Sequence, residues 1–188
     1  MLAEPLAPSP IRGLQELFDR FDRYQDRIPL DVLRDHLARL DLTRDDLSAF
    51  SVFDAECYCR NQIRTGPAYE ALLVCWRPGQ RSPIHDHIGS SCAFRILQGD
   101  CTETVYEPVG EVEPGGSGAP VQRVGKHVEC EGFVCATQDA DIHEVSNEGT
   151  SNLQTLHIYS PPMAKMGTYE AVGETREPLR AVPKGAFV

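Results

Sequence analysis

The sequence predicts a mainly β protein, a barrel with short helices packed on it. Three observations carry that expectation. Helical periodicity is confined to residues 11–50; beyond them, short apolar or alternating runs are separated by Gly-, Asn- and Asp-rich breaks; and no internal repeat stands out. Several short strands with turn signals between them indicate a sandwich or barrel. At 188 residues the chain is long enough to bury a sizeable core as one domain. The expected division is a helical part at about 11–50, a barrel at about 51–170 and a C-terminal extension at 171–188.

Residues 1–10 are Pro-rich and expected to be loose. From residue 11 to about 24, Leu14, Leu17, Phe18 and Phe21 fall at helical spacing. Leu30, Leu33, Leu37 and Leu40 repeat the pattern in a second helix, with Pro29 near its first turn. Thr43 is placed as the N-cap of a short third helix over 44–50. Strands are expected over 69–76, 92–97, 102–106, 133–136 and 153–159, and a surface loop over 108–120.

The formal net charge of -10 argues against nucleic acid or an anionic membrane as partner. No apolar run approaches the ~20 residues of a membrane span, and the first residues lack the basic and apolar regions of a signal peptide. Seven cysteines do not form the even framework of a small secreted protein. A cytoplasmic protein with reduced thiols, acting as a monomer on small molecules, is the expectation.

His85 and His87 lie one residue apart and point the same way on an extended segment. His143, from a separate strand, can complete one face of a metal ion. Three imidazoles suit iron, zinc, copper or nickel and leave coordination positions open. Gly79, His85, His87, Cys92 and Gly99 keep the spacing of the first motif of the cupin family, and Gly132, His143 and Asn147 that of the second. Cupins normally carry Glu where this chain has Cys92. With three neutral ligands the ion keeps both positive charges, which favours an anionic ligand such as a thiolate and points to iron. The resemblance implies a double-stranded β-helix, or jelly-roll, barrel. His36 and His127 are expected to be structural or solvated.

A second constellation alternates along 155–159. Thr155, His157 and Tyr159 share one strand face, with Leu156 and Ile158 on the other. A phenol near a metal can donate a hydrogen bond, and His157 and Thr155 can orient it; spacing alone also admits His157 as a fourth ligand. Tyr58 and Arg60 share a face if their segment is extended, and arginine binds carboxylates in bidentate fashion.

Together these residues resemble the cysteine dioxygenase family of cupin-fold, mononuclear non-haem iron enzymes. The matching pieces are Tyr58-Cys59-Arg60-Asn61, Cys75-Trp76, Ile84-His85-Asp86-His87, Ser90 with Cys92, Leu97-Gln98-Gly99 with Glu103-Thr104, and Leu156-His157-Ile158-Tyr159-Ser160-Pro161-Pro162. The resemblance implies that His85, His87 and His143 hold one Fe(II) per chain. It implies that Arg60, helped by Tyr58, binds the carboxylate of L-cysteine, while His157 and Tyr159 form a relay, with Thr155 where the family usually has serine. Both atoms of dioxygen would go to the cysteine sulfur, giving cysteine sulfinic acid, a step of cysteine catabolism. A thioether between Cys92 and Tyr159 is implied as well, and Ser160-Pro161 is a candidate cis peptide. Met166 stands where some members have a cysteine near the pocket. Cys57, Cys59, Cys101, Cys130 and Cys135 are expected to be small apolar packers.

Two alternatives remain open at this level. A 3-mercaptopropionate dioxygenase generally has glutamine where this chain has Arg60, and Gln62 lies on the expected Arg60 face. The other is a non-catalytic, metal-binding cupin.

Overall fold

A computed structural model describes residues 9–43 and 45–174. The Pro-rich start and most of the expected C-terminal extension fall outside them. Two short strands, β1 (Ile11–Arg12) and β2 (Leu40–Asp41), pair in parallel and bracket the helices α1 (Gly13–Phe21) and α2 (Leu30–Ala38). Both helices are shorter than expected. Ile11 lies in β1 because its backbone N–H is given to the Arg39 carbonyl, and Leu40 leaves the helical register to enter β2. The third helix is a 3-10 segment, Asp45–Phe50. Thr43 does not cap it in the expected sense: its N–H and hydroxyl both donate to the Asp46 carboxylate, at 2.7 Å each.

Eight further strands follow: β3 (Cys59–Thr65), β4 (Glu70–Trp76), β5 (Ile84–Gln98), β6 (Cys101–Pro108), β7 (Ser117–Glu129), β8 (Val134–Ser146), β9 (Leu153–Ser160) and β10 (Thr168–Ala171). They form one sheet in the order β10-β7-β6-β8-β5-β9-β4-β3, and β10 also pairs with β5. That return closes strands around an interior, the arrangement of a double-stranded β-helix. The predicted strands all occur, several of them longer than expected. The surface loop ends at Ser117, because the Gly-rich stretch yields to β7, whose pairing with β6 runs to Pro108.

Side chains alternate cleanly on the central strands. Leu72, Val74 and Trp76 of β4, Cys92, Phe94 and Ile96 of β5, and Leu153 and Tyr159 of β9 share the interior. Their neighbours Ala71, Ala93, Leu156 and Ile158 face outward and are covered by Leu17, Phe18, Phe21, Leu33 and Leu37 of the two helices. Leu47 covers Cys59, Leu73 and Cys75 on the adjoining outer face.

The segment between α1 and α2 is tied to the barrel near the histidine strand. Arg27 donates to Ser91 at 3.0 Å and to both Asp139 carboxylate oxygens, and the Ile28 N–H donates to the Ser160 hydroxyl at 2.8 Å. Asn147 joins the two expected motif ends, since the Gly79 N–H donates to its carbonyl and its side-chain amide donates to the Trp76 and Ser151 carbonyls. Gly99 sits at φ +80°, and a Cβ there would meet the Asn152 carbonyl at 2.6 Å, so the turn into β6 needs glycine.

Candidate metal centre

His85, His87 and His143 come together as the sequence predicts. One ring nitrogen from each lies within 4.8 Å of the others, and all three side chains are buried. His85 and His87 come from β5 and His143 from β8, where it is the register partner of His85. The route to this face is less simple than alternation. Register shifts fall between His85 and His87 and between His87 and Ser91, and Gly89 takes φ +82°. Such an irregularity changes which parity points inward. Odd-numbered histidines and the even-numbered Cys92 therefore share one interior.

The rings are oriented by acceptors behind them. His85 Nδ1 lies 3.0 Å from the Pro83 carbonyl, and His143 Nδ1 lies 2.6 Å from the Glu103 carboxylate. A proton on each Nδ1 leaves Nε2 with a free lone pair. His143 Nε2 and His87 Nδ1 are buried with no hydrogen-bond partner among the described residues. Burial, with the His143 charge next, pushes the His85 pKa down to about 3, and burial followed by His143 and His85 holds His87 well below its usual value. Three buried imidazoles close together, with unpartnered ring nitrogens among them, are a donor set for a divalent metal, so the residues fit the ion expected from sequence.

Asp86, between His85 and His87, faces away from them. It accepts from Gly115 N and Gly167 N at 2.8 Å each and from the Tyr169 hydroxyl at 2.5 Å. Burial raises its pKa, yet the Tyr169 and backbone hydrogen bonds outweigh that and hold it below the usual carboxylate range. The carboxylate thereby ties two other segments to the histidine strand.

The second constellation is a hydrogen-bonded line. Trp76 Nε1–H donates to Thr155 Oγ1 at 3.1 Å, Thr155 Oγ1 lies 2.9 Å from His157 Nε2, and His157 Nδ1 lies 3.2 Å from Tyr159 Oη. Both nitrogens of His157 are thus engaged, and it stands outside the metal-competent group. Burial followed by the Arg60 charge holds its pKa well below the usual value. Burial, with Cys92 next, pushes the Tyr159 phenol upward, so it keeps its proton. Cys92 is the register partner of Tyr159 across β5 and β9, its thiol 4.0 Å from His157 Nδ1 and raised to about 12 by burial.

Tyr58, Arg60, His85, His143, His157 and Tyr159 line one small pocket, together with Val74, Trp76, Ser82 and Val145. The Arg60 guanidinium lies 5.3 Å from the Tyr159 ring centroid, and Tyr58 stacks on Trp76 with centroids 4.2 Å apart. Burial pushes the Tyr58 phenol up to about 12. Gln62, which shares Arg60's face in a regular strand, is instead exposed and donates to Thr65 at 2.7 Å. A register shift follows it, between Gln62 and Arg64. Met166 packs against the interior cluster that includes Cys92 and Tyr159. Ser160-Pro161 is cis.

A sequence profile of cysteine dioxygenase type I matches residues 9–172. The chain belongs to that family. Cysteine dioxygenase type 1 of Danio rerio is 26% identical over 162 residues, which cover 85% of this chain and 77% of the relative. The Rattus norvegicus protein of the same name is 26% identical over 154 residues, covering 81% and 72%. Among solved structures, a Klebsiella pneumoniae protein with a double-stranded β-helix domain superposes with a TM-score of 0.50 at 13% identity, over 66% of this chain and 94% of its own, a likeness of fold. Among the described residues no helix is long and apolar enough to cross a membrane.

Three contributors to the site carry no assigned role from sequence reasoning. Glu103 and Trp76 stand inside matched pieces, but a side chain's partner depends on which strand lies beside it. Pro83 acts through a backbone carbonyl, which leaves no trace in residue type. The cysteines divide: Cys57, Cys59 and Cys101 are buried packers, Cys135 is half-buried against Glu103, and Cys130 is exposed, because it sits at the turn between β7 and β8.

Proposed function

We propose that this chain is a thiol dioxygenase that converts L-cysteine to cysteine sulfinic acid, with iron(II) held by His85, His87 and His143. One observation carries the reading: His85 and His143 of the histidine group line the same small pocket as Arg60 and Tyr159. A bound ferrous ion would supply a site for thiolate and for dioxygen activation. The protein's part is orientation and charge. Arg60, beside Tyr58, is the cation for the substrate carboxylate, and its fork restricts how the substrate enters. Tyr159 keeps a proton available at Oη, and the line through His157 and Thr155 to Trp76 holds the phenol in place. Trp76, Val74 and Val145 keep the pocket wall apolar.

Arginine at position 60, where 3-mercaptopropionate dioxygenases generally have glutamine, supports L-cysteine as the substrate, and Gln62 points to Thr65 and leaves Arg60 as the β3 residue in the pocket. Cys92 and Tyr159, directly opposite on β5 and β9, are the partners for a thioether, in which the thiol S–H and one ring C–H would break, a C–S bond would form, and dioxygen, the co-substrate, would take up the two protons and two electrons. The test is oxygen uptake by iron-loaded protein on both thiols, coupled to metal analysis. Faster turnover of 3-mercaptopropionate, or no uptake with either thiol, would overturn the assignment. Peptide mapping after turnover that finds Cys92 and Tyr159 unjoined would remove the crosslink.

A further inference from the structure

We propose that Glu103 is a positioning residue for the metal face: its carboxylate fixes the tautomer and ring orientation of His143 and so sets how tightly the three histidines hold a divalent metal. The inference rests on the metal reading above and goes beyond it.

The acceptors behind the histidines are unequal. His85 meets a neutral carbonyl at 3.0 Å, whereas His143 meets a carboxylate at 2.6 Å. A charged acceptor makes the stronger bond, and it also makes the opposite ring nitrogen a better donor to a metal. His143 Nε2 is the nitrogen left buried and unspent. His143 is also the ligand that arrives from a different strand, so its ring direction cannot be copied from the His85–His87 segment.

Strand pairing explains how Glu103 reaches it. On β6, Val105 is the register partner of His143 and Glu103 that of Val145. Glu103 is therefore the diagonal neighbour of His143 on the interior face, within reach of a long side chain. It is held from a second side by Cys135, whose thiol lies 3.9 and 3.8 Å from the two carboxylate oxygens. A free carboxylate could turn away; this one is clamped between a thiol and an imidazole.

The arrangement also answers the missing ligand of the first motif. Cys92 stands where cupins place a carboxylate, which leaves three neutral ligands and the full charge of the ion. Glu103 returns one negative charge to the site at one remove, through His143. The open face is kept for substrate, while the buried dication gains a nearby counter-charge.

The experiment is a cobalt(II) titration against a competing chelator, followed by visible absorption, on the full chain and its variants. Glu103→Ala should weaken cobalt binding by about 10–100-fold, and Glu103→Gln, which keeps an acceptor but no charge, by an intermediate factor. Cys135→Ala should change it by less than about threefold, since a thiol is a weak donor. Leu153→Ala, a core change outside the histidine group, controls for lost stability. Cobalt binding in both Glu103 variants within about threefold of the parent, or weakened no more than in Leu153→Ala, overturns the inference. A parent chain that binds no cobalt overturns the metal reading itself and this inference with it.

Discussion

The two faces of β9 follow opposite rules. Leu156 and Ile158 turn outward and are fully buried under α1 and α2 by apolar contact alone. Thr155, His157 and Tyr159 turn inward and are just as buried, yet each is satisfied by hydrogen bonds. The outer face gains stability without directional partners. The inner face trades that freedom for a fixed line of polar groups, costly unless complete. The difference shows how a thin barrel can hold a polar interior: its apolar burial is placed on the outside of the same strands, beneath the helices.

That contrast can be broken from either side. The largest effect belongs to the interior: His85→Ala should abolish metal retention and oxygen uptake while thermal unfolding still shows one cooperative transition, checked by metal analysis and calorimetry. On the outer face, Leu156→Ala should cost about 2–5 kcal/mol of stability through a cavity under the helices. Turnover per folded molecule should stay unchanged there; a matching loss of turnover would mean that the faces are not separable. Arg60→Gln should weaken L-cysteine use by about 1.5–3 kcal/mol, the range for a hydrogen bond to a charged group, seen mainly in KM. The same variant should narrow the gap to 3-mercaptopropionate. Gly167→Ala should cost about 1–3 kcal/mol by overpacking, because its Cβ would lie 2.6 Å from Asp86 Oδ2. The smallest change is Thr155→Ser, which keeps the hydroxyl between Trp76 and His157 and loses one buried methyl, about 0.8 kcal/mol. Turnover should hardly move; a large drop would show that the methyl, not the hydroxyl, positions His157 and Tyr159.

Much of the site was legible because its chemistry is local. His85 and His87 sit in one segment, and residues 155–159 carry their alternation openly. The helices were placed by apolar spacing, but their ends were not, since Ile11 and Leu40 are claimed by each other's strands rather than by helix propensity. β7 was not expected at all, because its exposed residues on both faces give no period to read. Gln62 misled for a related reason. Its parity matches Arg60 and the ladder to β4 is regular between them, yet its side chain is exposed and turns to Thr65, so it stays out of the pocket.

Residue type and spacing by themselves determined the barrel class, the three clustered histidines and the polar face of β9, because each depends on periods of a few residues. The tertiary structure alone decided which carboxylate stands behind His143, which indole anchors Thr155, and how odd-numbered histidines share a face with Cys92. Those are matters of strand neighbours and bulges. Partners forty or more residues apart are chosen by the closure of the whole barrel, so no local pattern could have announced them.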